Sequence, residues 1–193
     1  MTLIINPSDP STLFLKPIYN DIPDKKVITG NVTIDELKSE IINHDEIIIC
    51  GHGNGSNGLF AINQFKNLGY MDYIVDKSFA PLLKQKNKKI IAIWCYAKNY
   101  IETNDINNSF HCGMFISEVA ESIYCGLKGV TQEQIEESNY CFSIELGSII
   151  SKTPFEIFNS MSNGQYSKLA KYNPVAKYNF QRLHYDYKQN FLA

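Results

Sequence analysis

Two stretches constrain this chain more than any others: "EIIIC" at residues 46–50 and "KKIIAIW" at residues 88–94. Each contains at least four consecutive apolar residues, most of them β-branched. A strand points successive side chains to opposite faces, so an unbroken apolar run is the mark of a strand covered on both faces, as in a parallel sheet. Parallel neighbours need a crossover, which is right-handed in nearly every case and returns the C-terminal ends of both strands to one sheet edge. Open α/β sheets hold their ligands at that edge. The residues just after the two runs are therefore the first candidates for a functional site, and they include His52 and Cys95.

The rest of the chain fits around that pair. "TLIIN" (2–6) and "KKVITG" (25–30) read as two further strands. Thr33 and Glu36 have capping-box spacing and Val32 is placed to staple onto Leu37, which predicts a helix over 34–43 with Ile34, Leu37 and Ile41 buried. "VDKSFAPLLKQK" (75–86) supplies the crossover helix. Apolar spacing over 113–125, ended by Gly126, predicts another helix. Thr131 with Gln134, Thr153 with Pro154 and Glu156, and Asn173-Pro174 start three more. "NYCFSIELGSII" alternates like a strand at 142, 144 and 146 and is read as helix. The 193 residues, 44% hydrophobic, suit one core. The fold class predicted is α/β, a three-layer α/β/α sandwich with a mostly parallel sheet. Its α/β core is expected over 1–125, with a mainly helical part over 126–193 packed on the same domain.

Eighteen Lys plus Arg against twenty Asp plus Glu give a net charge of -2, which provides no field for nucleic acid or an anionic membrane. The first residues show no signal-peptide pattern, and no apolar run reaches the ~18 residues of a membrane span. The expectation is a cytoplasmic chain. Cys50, Cys95, Cys112, Cys125 and Cys141 are odd in number and contain no Cys-x-x-Cys, which argues against a disulfide framework and predicts mostly buried free thiols.

The loop after the first run has competing readings. Gly53-Asn-Gly55-Ser-Asn-Gly58 matches G-x-G-x-x-G, with Asp76 downstream, and would cradle a phosphate if it opened a helix. Ser56 lacks the glycine two positions before it that a nucleophile elbow requires. Cys50, His52 and Cys95 together offer three zinc ligands, with no fourth evident. The remaining reading pairs Cys95 as nucleophile with His52 as general acid/base across one cleft. The backbone N–H groups of Gly53 and Cys95 would then make an oxyanion hole, Gly53 having no side chain to shield its own. Such a Cys95 should carry more thiolate than the other four cysteines.

Strand-His52-Gly53 followed 43 positions later by strand-Cys95 resembles the caspase-like cysteine peptidases, the group that includes gingipains, clostripain, legumain, separase and CHAT domains. The resemblance covers roughly residues 1–125. It implies a mostly parallel sheet between helices, peptide or related amide hydrolysis by a His52–Cys95 dyad, Gly53 as an oxyanion donor, and no cofactor or metal. Ile93-Trp94 before Cys95 and Ala97 after it differ from the caspase signature, so the likeness is to the wider group. The partner implied is a peptide or protein substrate, with no nucleic acid and no membrane; the oligomeric state is left open. The alternatives are a catalytically silent module of the same fold that binds a peptide or partner, and a nucleotide-binding domain using the glycine loop. His44 is read as a cation at a helix C-terminus and His111-Cys112 as a turn. The basic, aromatic tail 166–193 is read as a closing helix packed on the domain rather than a stacking surface for single-stranded nucleic acid.

Overall fold

The computed structural model describes residues 1–55, 57–62, 65, 71–85 and 88–186. In chain order the elements are β1 (Thr2–Ile5), a 3-10 helix (Pro10–Ile18), β2 (Lys25–Ile28), α1 (Ile34–Ile42), β3 (Glu46–Cys50), β4 (His52–Gly53), β5 (Leu59–Ile62) and β6 (Met71–Val75). There follow a 3-10 turn (Lys77–Phe79), α2 (Ala80–Leu83), β7 (Lys89–Ile93), α3 (Ala97–Thr103), β8 (Ser109–Cys112), α4 (Val119–Tyr124), α5 (Gln132–Ile149), α6 (Pro154–Asn163), α7 (Gln165–Leu169), α8 (Pro174–Phe180) and β9 (Leu183–Asp186). The main sheet has the order β2-β1-β3-β7-β8-β9, parallel throughout except for the β8–β9 pair.

The apolar runs divide by parity between two cores. Ile47, Ile49, Ile90 and Ala92 meet Leu37 and Ile41 of α1, Leu83 of α2 and Tyr100 of α3. On the opposite face Ile48, Cys50, Ile91 and Ile93 meet Leu15 and Ile18 of the 3-10 helix and the apolar faces of α5 to α8. The fold is thus an α/β/α sandwich. Thr33–Glu36, Thr131–Gln134 and Thr153–Glu156 all form the reciprocal capping boxes their spacing predicts. The ambiguous 139–150 segment lies almost wholly within α5, where Phe142 and Leu146 are buried and Ile144 is exposed, a helical distribution. No helix among the described residues is long and apolar enough to cross a membrane.

Four local expectations change. Between β3 and β7 the chain builds a small antiparallel sheet, β4-β5-β6, and the crossover helix shrinks to the 3-10 turn and the four-residue α2. His111 and Cys112 lie in buried strand β8 rather than a turn. Ser109 and His111 hid that strand because they are polar; buried, Ser109 Oγ and His111 Nδ1 bond each other at 3.2 Å. The imidazole also stacks on His184 of β9, and burial, reinforced by His184 and Lys98, holds its pKa down at about 3. The helix expected over 113–125 forms only at α4, because the Asn179 side chain takes the N–H and C=O of Ile116 at 2.7 and 2.8 Å. Those backbone groups then need no helix to be satisfied.

The fourth change is in the tail, where α7, α8 and strand β9 replace one closing helix; residues 187–193 lie outside the described residues. Tyr166 is buried against Phe142, and Tyr185 lies against Phe155 and Phe158, so these aromatics serve packing. At the end of α1 a lysine takes much of the cationic role assigned to His44. Buried Lys88 donates to the carbonyls of Ile41 (2.6 Å) and His44 (2.7 Å), while His44 Nδ1 donates to Glu40 at 2.7 Å.

Helix α5 reaches the first 3-10 helix through Gly147. A Cβ there would stand 2.4 Å from the Pro17 carbonyl oxygen, a backbone atom that cannot swing away. Alanine favours a helix interior by about 1 kcal/mol over glycine, but overpacking costs ~1–3 kcal/mol. The net loss of up to about 2 kcal/mol should lower the melting temperature of Gly147→Ala by up to roughly 8 °C in a calorimetric scan; an increase would mean that the helix and the Pro17 segment are not in this contact.

Candidate functional site

Strand β3 ends at Cys50, and the Gly51 N–H donates to Ile93 of β7 at 3.1 Å before the chain turns out of the sheet as β4. His52 then pairs with Phe60 of β5, and their rings stack at 5.7 Å. The imidazole is also held from the neighbouring strand end. Beyond β1, Asp9 is the N-cap of the 3-10 helix and accepts from the Ser11 N–H at 2.8 Å and from Ser11 Oγ at 2.6 Å. Ser11 Oγ lies 2.8 Å from His52 Nε2, and Asp9 Oδ1 lies 3.4 Å from the same nitrogen.

A hydroxyl has one proton. With that proton given to the Asp9 carboxylate, Ser11 Oγ accepts from His52 Nε2–H, which leaves Nδ1 with the free lone pair. The Ser11 bonds, aided by His52, hold the Asp9 carboxyl below the usual carboxylate range against the opposing effect of burial. Asp9 and Ser11 thus orient the ring and set its tautomer. They are the residues that sequence reasoning missed. The signal was present: "NPSDPS" follows the first strand and carries an Asp-Pro-Ser helix start, and applying the sheet-edge rule to β1 brings it beside His52.

Cys95 comes two residues after β7, just before α3. The intervening Tyr96 is left-handed at φ +66°, a conformation costing ~1–3 kcal/mol for a residue with a Cβ. The turn is locked by Tyr96 N–H to Gly113 and Ala97 N–H to Trp94, both at 3.0 Å. Cys95 and His52 line one cleft with Thr12, Phe14, Phe115 and Glu121. Gly53 closes in from the β4 side: a Cβ on it would stand 1.8 Å from Trp94 Cδ1 and 2.7 Å from the Cys95 carbonyl oxygen. Only glycine permits this approach, which brings the Gly53 backbone against that of Cys95. Buried Trp94 Nε1–H beside it has no partner among the described residues.

The expectation of a thiolate-rich Cys95 is reversed. Its Sγ–H donates to the Phe115 carbonyl at 3.4 Å, and burial, with a further contribution from Glu121, pushes the thiol up to about 12. Burial likewise raises the Cys141 thiol to about 11 and that of Cys112 well above the ordinary range. All five cysteines are free; Cys50 and Cys112 are fully buried, and the other three are partly so.

The other readings of the loop fare differently. Residues 53–58 join antiparallel strands β4 and β5, so the chain continues into a strand where a phosphate cradle needs a helix N-terminus. Asp76 caps the 3-10 turn through Ser78 N–H at 2.8 Å. Cys50 is sealed in the core below His52, and among the described residues no group of three or more His, Cys, Asp or Glu is arranged to hold a metal. Ser56 lies outside the described residues. Comparison with protein-family models, with curated proteins and with solved structures found no match for this chain.

The thiol environment predicts a pH profile. With the folded-state pKa raised by burial, Cys95 is protonated at neutral pH, so its alkylation by iodoacetamide should be slow at pH 7 and climb about tenfold per pH unit through pH 10. Mass spectrometry of the Cys95 peptide measures this; a plateau near neutrality would mean that His52 already holds the proton.

Proposed function

We propose that this chain is a caspase-like cysteine peptidase that hydrolyses a peptide or related amide bond with Cys95 as nucleophile and His52 as general acid/base. One observation carries the reading: His52 and Cys95, from the ends of adjacent parallel strands, line one cleft, with the imidazole held from behind by Asp9 and Ser11. A general base works with its ring oriented by a third group, and Asp9 and Ser11 supply one here. The mostly parallel sheet between helices, and glycine where β4 crosses Cys95, are also what the resemblance implies.

The reaction follows from that geometry. Nδ1 of His52 takes the thiol proton as sulfur attacks the scissile carbonyl carbon, so the raised resting pKa is met by proton transfer during attack and not by a standing thiolate. The Gly53 and Cys95 N–H groups receive the oxyanion. The imidazolium then protonates the leaving amine, and water hydrolyses the thioester with His52 as base. No cofactor enters any step. The second reading, a silent module that binds a peptide or partner, draws on the half-buried, Phe115-bonded thiol with its raised pKa.

Turnover of a peptide-amide library separates these readings. Cys95→Ala and His52→Ala should abolish cleavage with little change in stability, and Asp9→Asn and Ser11→Ala should fall between parent and His52→Ala. Loss on Ser11→Ala but not on Cys95→Ala would make Ser11 the nucleophile and overturn the proposal. Equal peptide binding by parent and Cys95→Ala, with neither cleaving, would favour the silent module.

A further inference from the structure

The cleft at Cys95 carries an electrical bias that a thiol nucleophile does not need for itself. Glu121 lines it, and three donors fix its Oε2: Ser117 N–H at 2.7 Å, Ser117 Oγ at 2.9 Å and Glu118 N–H at 3.2 Å. Oε1 has no hydrogen-bond partner among the described residues. On the other side of His52, Asp9 lines an adjoining groove with Pro7, Gly51 and Phe60. No lysine or arginine is among the described residues lining either groove. Two carboxylates therefore face, at most, one imidazolium.

Such a field opposes the thiolate, and Glu121 acts on Cys95 in the same direction as burial. A carboxylate held beside a nucleophilic sulfur makes chemical sense when the substrate brings the opposite charge. We propose, on the basis of the thiol-peptidase reading above, that Glu121 is the specificity-determining residue of this cleft and selects a Lys or Arg side chain on the acyl side of the scissile bond.

An Asp or Glu side chain there meets the like charge of Glu121 in a partly desolvated space, where repulsion is weakly screened. A cation instead neutralises Glu121, removing one of the two main influences that keep Cys95 protonated, so the cognate substrate favours its own attack. Phe14 and Phe115, stacked at 6.1 Å and 13° between the 3-10 helix and the segment after β8, supply flat faces for an aliphatic stem and a guanidinium. The cleft is narrow, and admitting such a side chain requires the two rings to part.

Glu121→Gln tests this, because an amide keeps an acceptor for Ser117 and Glu118 while losing the charge; a melting curve checks that the variant is folded. In the parent, kcat/KM should rank Arg and Lys above neutral residues, with Asp and Glu last, and Glu121→Gln should reduce the Arg-to-neutral ratio about 30-fold or more. A second measurement does not depend on turnover. Cys95 is labelled with 2-aminoethyl or 2-sulfonatoethyl methanethiosulfonate, its sulfur displacing methanesulfinate in each case, and the rates are read on the Cys95 peptide relative to a small free thiol. The cationic reagent should be favoured about tenfold or more in the parent, with the preference collapsing in Glu121→Gln. An unchanged reagent ratio in the variant, an anionic preference in the parent, or cleavage ranked Asp and Glu first would overturn the proposal. A chain that cleaves nothing yet shows the Glu121-dependent reagent preference fails as a peptidase while the cation selectivity stands.

Discussion

Everything at the candidate site depends on the in-register parallel pairing of β3 with β7, in which Cys50 lies opposite Ile93. Those strands are neighbours and point the same way, so the chain leaves both at one edge, and His52 and Cys95 emerge within a single cleft. The β1 strand pairs on the other side of β3 in the same direction, which adds Asp9 and Ser11 to that edge. Were either pairing antiparallel, the same residues would stand at opposite ends of the sheet. The backbone ladder aligns groups that the side chains alone could not assemble.

Two physical demands meet at Cys95. The sandwich needs its sheet ends shielded from water, and Phe115 and Phe14 line the cleft beside the half-buried sulfur. A nucleophile needs access and an electrostatic environment that tolerates negative charge. At Cys95 burial has the larger influence: the thiol donates to the Phe115 carbonyl, and burial and the nearby Glu121 carboxylate favour its protonated form. The imidazole, by contrast, is already arranged, with Nε2 engaged by Ser11 and Asp9. The proposed base and the proposed nucleophile are thus prepared to different degrees.

The outcome of reading the chain residue by residue follows a physical division. Strands β1, β3 and β7 and the capped helices α1, α5 and α6 were legible because each bears a local signature: an unbroken apolar run, or a Thr three residues before Glu or Gln; β2 was legible from Val27-Ile28 closed by a turn glycine. Strands β8 and β9 were not. "SFHC" and "LHYD" carry polar side chains that are satisfied by one another, Ser109 with His111 inside β8 and His111 with His184 across the strands. The helix expected at 113 failed for a similar reason, since Asn179, 63 residues away, satisfies Ile116.

What the sequence determined by itself was periodic and local: which runs are covered on both faces, where helices start, and hence which edge of the sheet carries His52 and Cys95. Spacing of that kind survives in a linear string because backbone geometry repeats every two residues in a strand and every 3.6 in a helix. Tertiary structure alone decided the chemical state of those residues. The proton on Nε2 is set by Asp9 and Ser11, some forty positions upstream, and the protonated thiol by burial and by Glu121, downstream of it. Desolvation and Coulomb interactions act through space over a few ångströms regardless of chain separation, so no local pattern in the sequence records them.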